Sequence, residues 1–341
     1  MLLFCIVVMA MPAMAAAPVS GFSATPTTGI VPLAVQFQDS STNTPTALAW
    51  YFGDETYTAS WVQQTAGAGW SARYNQTSVA LPDGSIVLMG GYNGTCTNDT
   101  WRSTDKGASW TLMNASSGWS ARSRHNSVVL PDGSIVLMGG TDGVNKNDTW
   151  RSTDNGATWT EMTAEAGWSA RFSSTSVALP DGSIVLMGGN DGSVQYDVWR
   201  STDNGTTWTR MTASAGWSAR SSSTSVAMPD GSIVLMGGYA KSFKNDVWRS
   251  TDNGATWTQK NASAGWSPRY GQTSVTLPEG SIVLVGGNES SRKNDVWRST
   301  DNGTTWAQVT SGAAWPARGD HASVALADGS IVLMGGTASP G

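Results

Sequence analysis

Residues 151–160 read RSTDNGATWT, and residues 249–257 repeat the first nine of those letters without change. Close variants occupy 102–110, 200–208 and 298–306 (RSTDKGASW, RSTDNGTTW and RSTDNGTTW). Read locally, the phrase is a hairpin. Within Thr153-Asp154-Asn155-Gly156 the glycine takes a positive φ at no steric cost, and the Asp154 carboxylate is placed to accept backbone N–H bonds inside the turn. Trp159 then covers the hairpin with a large apolar face. Read along the whole chain, the phrase is one tooth of a repeat. Trp61, Trp110, Trp159, Trp208, Trp257 and Trp306 are 49 residues apart, and Trp70, Trp119, Trp168, Trp217, Trp266 and Trp315 keep the same step. A period of about 40–50 residues built from strand-length pieces points to a β-propeller.

The unit 119–167 shows how each blade is written. After Trp119-Ser120-Ala121-Arg122 comes a half-polar strand at 126–130, then the turn signal Pro131-Asp132-Gly133. The run SIVLM at 134–138 is continuously apolar, which suits a strand buried on both faces. Gly139-Gly140 ends it where backbone passes close to backbone. A variable loop at 141–146 leads to a third strand at 148–152, the hairpin phrase and a fourth strand near 158–162. Repeats 70–118, 119–167, 168–216, 217–265 and 266–314 share this plan, whereas 315–336 carries only the first two strands. Phe52 falls 49 residues before Trp101, and Trp61 falls 49 before Trp110, so residues 48–64 offer the missing pair. The expectation is an all-β, six-bladed propeller over 48–341, with four-stranded antiparallel blades. Its last blade is closed by N- and C-terminal strands, which removes open sheet edges.

SIVLMGG followed by a Trp-bearing third strand, with Arg and sometimes His opening the first strand (Arg122 and His125, Arg318 and His321), resembles the kelch repeat. The S-T-D-x-G-x-T/S-W phrase resembles the Asp-box, or BNR, hairpin of sialidases and other propellers. These resemblances imply a propeller in which Asp105, Asp154, Asp203, Asp252 and Asp301 are structural and remote from any active site. The kelch resemblance also implies that Arg73, Arg122, Arg171, Arg220, Arg269 and Arg318 ring one mouth of the axis. Residues 18–54, with FSATPTTGIVPLAVQFQDSS and WYFGD, resemble the first half of a PKD domain, giving a partial PKD-like segment at 16–54.

The termini and composition bound the setting. The apolar run from Leu2 to Met11, followed by Pro12 and Ala13-Met14-Ala15, reads as a signal peptide over 1–15, and hence an extracellular or cell-surface location. No later segment is long and apolar enough for a stable transmembrane helix. Nine Asn-x-Ser/Thr sequons are compatible with an exported surface. A net charge of −5 and the lack of any basic run argue against a nucleic-acid partner. Cys96 is alone after the leader, so no internal disulfide is expected in the mature chain.

Repetition also separates frame from function. Sixteen of the 25 acids occupy slots repeated in nearly every unit, leaving Asp39, Asp54, Glu55, Asp142, Glu161, Glu165, Asp191, Glu289 and Asp320. No pair among these announces the facing carboxylates of a glycosidase. Only Arg124, Arg210 and Arg292 fall outside the repeated arginine slots, too few for a sialidase-like arginine triad. His125 and His321 share one slot in two units, and no zinc spacing or phosphate loop is present. No catalytic set, metal or cofactor is therefore assigned. A secreted sialidase-like hydrolase or a kelch-type oxidase is the alternative. The stretch after each Arg and the loop after each double glycine are the parts that vary. The candidate binding residues there are Tyr74, Phe172, Tyr270, His125 and His321, with Tyr92, Tyr239 and Phe243 in the loops. Variable positions on a rigid frame suit recognition of a glycan or a surface protein.

Overall fold

The computed structural model describes residues 22–25, 36–39 and 61–338. The chain divides into two units, Met1–Glu55 and Thr56–Gly341. In the first, strands Phe22–Thr25 and Gln36–Asp39 pair antiparallel. The expected signal peptide, the rest of the expected PKD-like segment and residues 48–60 of the expected last blade lie outside the described residues.

The second unit is a propeller of sequential antiparallel sheets. Blade one comprises Thr77–Ala80, Ile86–Tyr92, Cys96–Ser103 and Thr111–Asn114. Blade two comprises Asn126–Val129, Ile135–Met138, Thr149–Ser152 and Thr160–Thr163. Blade three has Thr175–Ala178, Ile184–Met187, Val198–Ser201 and Thr209–Thr212, and blade four Thr224–Ala227, Ile233–Ala240, Ser242–Ser250 and Thr258–Asn261. Blade five has Thr273–Thr276, Ile282–Asn288, Arg292–Ser299 and Ala307–Thr310. The structure thus has five four-stranded blades, and the expected count of six is corrected. After blade five come a two-stranded sheet, Ala322–Ala325 with Ile331–Met334, and a short pair, Arg318–Gly319 with Thr337–Ala338. Residues 61–64 form no strand, so the N-terminal pieces inferred from the 49-residue offset do not appear as ladder partners among the described residues. Trp61 nonetheless packs edge-on against Trp315, with ring centroids 5.8 Å apart.

The apolar second strands carry the core. Ile184–Met187 is wholly buried because alternate side chains serve opposite faces. Val185 and Met187 pack with Ile233 and Leu235 of blade four, while Ile184 and Leu186 pack with Val136 and Met138 of blade two. The hairpin phrase latches one blade to the previous one. Asp154 accepts from the Thr158 N–H (2.8 Å) and hydroxyl (2.6 Å), and Ser152 Oγ accepts the Gly156 N–H (2.9 Å). This hairpin then reaches blade one, where the Thr100 hydroxyl donates to the Gly156 carbonyl at 2.6 Å. A Cβ on Gly156 (φ +88°) would sit 3.2 Å from Val87 Cγ1, so the close approach needs glycine.

The two-stranded sheet completes a hydrogen-bonded circuit. Asn75, Arg124, Ser173, Ser222, Gly271 and Asp320 each donate a backbone N–H to the carbonyl of the preceding member, and Asn75 donates to Asp320. The six bonds span 2.8–3.2 Å and form a closed ring. All six residues have φ between 51° and 61°.

Candidate functional site

The arginine slots need correction first. Arg73, Arg122, Arg171, Arg220 and Arg269 are 0–4% exposed, so they offer no collar to a ligand. Each forms a two-pronged ion pair with the Asp that precedes the third-strand Trp. In blade two, Arg122 holds both Asp148 oxygens at 2.6 and 2.7 Å and also donates to Gly139 O, Ser120 O and Ser120 Oγ. Trp150 Nε1 donates to the same carboxylate at 2.8 Å. Burial alone would raise the Asp148 carboxyl, but the Arg122 bonds and charge and Trp150 outweigh it and hold the group below the usual range. These are buried pillars with the guanidinium donors fully used. Arg318 differs: it donates to Pro316 O and Gly335 O and has no carboxylate among the described residues.

His125 and His321 are also interior, 4% and 5% exposed. Their Nε2 atoms lie 2.9 Å from Thr77 Oγ1 and 3.0 Å from Thr273 Oγ1. Burial, then the charge of Arg122 or Arg318, pushes each imidazole down to about 3, so both are neutral at ordinary pH.

The aromatic candidates, by contrast, come together as a rim. The residue after each slot Arg pairs through the backbone with the residue after the double glycine: Tyr74 with Tyr92, Phe172 with Asn190, and Tyr270 with Asn288. The two variable places are therefore adjacent. Tyr74 and Tyr92 have centroids 5.4 Å apart; Phe243 lies 5.8 Å from Tyr239 and 5.2 Å from Tyr270. Arg124 stacks over Phe172 at 5.4 Å. Tyr239 is 43% exposed, and the other rim rings are half-buried.

Inside this rim lies the hydrogen-bonded ring, with a polar depression of about 150 Å³. Asn75, Arg124 and Asp320 fall in the variable stretch after each slot Arg, and a further signal lies in composition, because five of the six ring residues are Asn, Ser, Gly or Asp, types that tolerate positive φ or favour turns.

A family model described as the DUF6242 beta propeller domain matches residues 132–260 and 219–339, together more than half of the chain. The chain belongs to this family. No curated protein matches it. Membership in a propeller family suggests a binding or interaction module.

The acids outside the repeated slots add little chemistry. Asp142 pairs with Lys146 at 2.9 Å and Glu289 with Lys293 at 2.6 Å, while Asp191 accepts from Ser169 Oγ and Gln195 Nε2. Asp320 stands apart. Its Oδ2 accepts one bond from Asn288 Nδ2 at 3.0 Å, and burial raises its carboxyl above the ordinary value despite that bond and the charges of Arg124 and Arg292.

Proposed function

We propose that this propeller is an exported, non-catalytic recognition module of kelch/Asp-box type that binds a glycan or a surface protein across the aromatic rim. In this reading residues 1–15 are a cleaved leader and 16–54 a PKD-like attachment. One observation carries the proposal: the blades spend their repeated Arg and Asp side chains on one another, while the half-buried aromatics gather at one mouth. Rigid aromatics of this kind anchor ligands at low entropic cost. Among the described residues no helix is long and apolar enough to cross a membrane.

The test is a glycan and surface-protein array probed with the full chain, with sialidase and carbohydrate-oxidase assays on the same sample. The expected result is binding without turnover, weakened about tenfold or more by Tyr74→Ala or Tyr270→Ala, the usual effect of losing an aromatic anchor. Turnover abolished by changing a single acid outside the repeated slots would overturn the proposal.

A further inference from the structure

The depression inside the rim has a chemistry of its own. Among the described residues the charged side chains that line it are Arg124 and Asp320, one of each sign. They flank Asn75 on the ring and lean apart. Arg124 lies over Phe172, and Asp320 leans over Gly271, where an added Cβ would fall 2.6 Å from Asp320 Oδ1. The two charges form no ion pair with each other. Arg124 is exposed, and among the described residues its guanidinium has no hydrogen-bond acceptor, so its five N–H donors are open. Among the described residues Asp320 Oδ1 likewise has no donor. Among the described residues three further lining side chains, nine-tenths or more buried, each keep one atom unpartnered: His321 Nδ1, Gln76 Oε1 and Gln272 Oε1. The two glutamine oxygens call for donors.

Open donors on Arg124 and an open acceptor on Asp320 in one depression, with no net charge, match a group that both gives and accepts hydrogen bonds at adjacent atoms. Vicinal hydroxyls do so. A hydroxyl donating to Asp320 while its neighbour accepts from Arg124 leaves neither charge unpaired, whereas a ligand carboxylate would face Asp320 and a ligand ammonium would face Arg124. The volume, about 150 Å³, admits one sugar ring and not a peptide segment. We propose that the axial depression binds one uncharged hexose unit, with Arg124, Asn75 and Asp320 holding its hydroxyls. The inference rests on the recognition reading and narrows it to neutral glycans.

The side chains are separable from the fold, because the ring bonds are backbone and five of six members already carry a side chain at the same φ. The experiment uses the full chain and methyl glycosides of glucose, galactose and mannose, with the corresponding uronic acids and 2-amino sugars. Contacts are read by saturation-transfer NMR and affinity by titration. At least one neutral hexoside should bind at least tenfold more tightly than its charged analogues. Asp320→Asn, which keeps the positive-φ preference, should shift selectivity toward the uronic acid, and Arg124→Gln toward the amino sugar. Gly271→Ala, whose Cβ would fall 2.6 Å from Asp320 Oδ1 at φ +61°, should weaken all binding when titrated well below its own, lowered unfolding midpoint. Equal or tighter binding of charged sugars overturns the proposal, as does neutral-sugar binding indifferent to Arg124→Gln and Asp320→Asn. Failure of every neutral glycoside alongside a protein ligand on the array would overturn this inference and leave the recognition reading standing. No ligand of either kind would remove both.

Discussion

Lowering the pH from 7.5 to 5 should destabilise the propeller before its carboxylates titrate. The perturbation acts on His125 and His321. Burial, reinforced by Arg122 or Arg318, lowers each folded-state imidazole to about 3, against about 6.5 in an unfolded chain. A folded value below the unfolded one means that the fold favours the neutral form. That contribution is complete above pH 6.5 and is lost as the pH falls from 6.5 toward 3. At pH 5 the unfolded chain has taken up a proton at each histidine that the fold refuses, which costs about 2 kcal/mol per residue and about 4 kcal/mol for the two. Asp320 acts in the opposite sense, since its raised folded value adds stability as the pH falls through it. Urea unfolding followed by tryptophan fluorescence at pH 7.5, 6 and 5 measures the fall. The control is His125→Gln with His321→Gln. Glutamine already fills the same slot as Gln76 and Gln272, where Nε2 donates to Met334 O at 2.9 Å and Met236 O at 3.2 Å. The double variant should lose most of the pH dependence between 7.5 and 5. A wild-type stability flat across that range, or a double variant with the full fall, would refute the assignment.

Four substitutions probe the frame. Arg171→Ala strands the Asp197 carboxylate, whose side chain is 14% exposed, and should cost about 3–5 kcal/mol; an unchanged denaturation midpoint would count against the pillar. Asp154→Ala removes the acceptor for the Thr158 N–H and hydroxyl and should cost about 1–3 kcal/mol, read in the same way. Gly254→Ala places a Cβ 2.7 Å from Val198 Cγ1 at φ +90°, whereas Gly231→Ala at φ +78° meets nothing within 4 Å. Both incur backbone strain, so the melting temperature of Gly254→Ala should be the lower of the two, by the equivalent of about 1–3 kcal/mol of overpacking. Equal losses would show that the hairpin does not press on the neighbouring blade.

The parts legible in the sequence are those whose cause is local and repeated. The Trp step, the apolar SIVLM run and the glycines at Gly139-Gly140 and Gly156 each express a constraint within one unit, so copying the unit copies the signal. The arginines were misplaced because repetition shows that a residue matters to the frame without showing which way it points. The clue was present: every buried slot Arg has an Asp 26 residues later, as in Arg122 and Asp148. Blade count failed for a related reason. The 49-residue offset locates Phe52 and Trp61 in a register, but a spacing alone does not establish a ladder, and the described residues form five four-stranded blades.

Asn75, Arg124 and Asp320 were legible only in part: the sequence puts them in the variable stretch after each slot Arg, but their common property is a backbone angle and not a residue type. The ring they belong to is closed by N–H and C=O groups alone, so its geometry places little demand on side chains beyond tolerance of positive φ. Asn, Arg, Ser, Ser, Gly and Asp all satisfy it. A blade interior has no such freedom: a side chain changed at Ile184 or Arg171 disturbs two faces or an ion pair, and the repeats are accordingly nearly identical there. Freedom of side chain on a fixed backbone is what lets six near-copies hold one asymmetric cluster, with opposite charges two steps apart and small residues on the far side. The depression is thus the place on this propeller where specificity can be written without disturbing the frame, and the selectivity switch between Asp320→Asn and Arg124→Gln tests that directly.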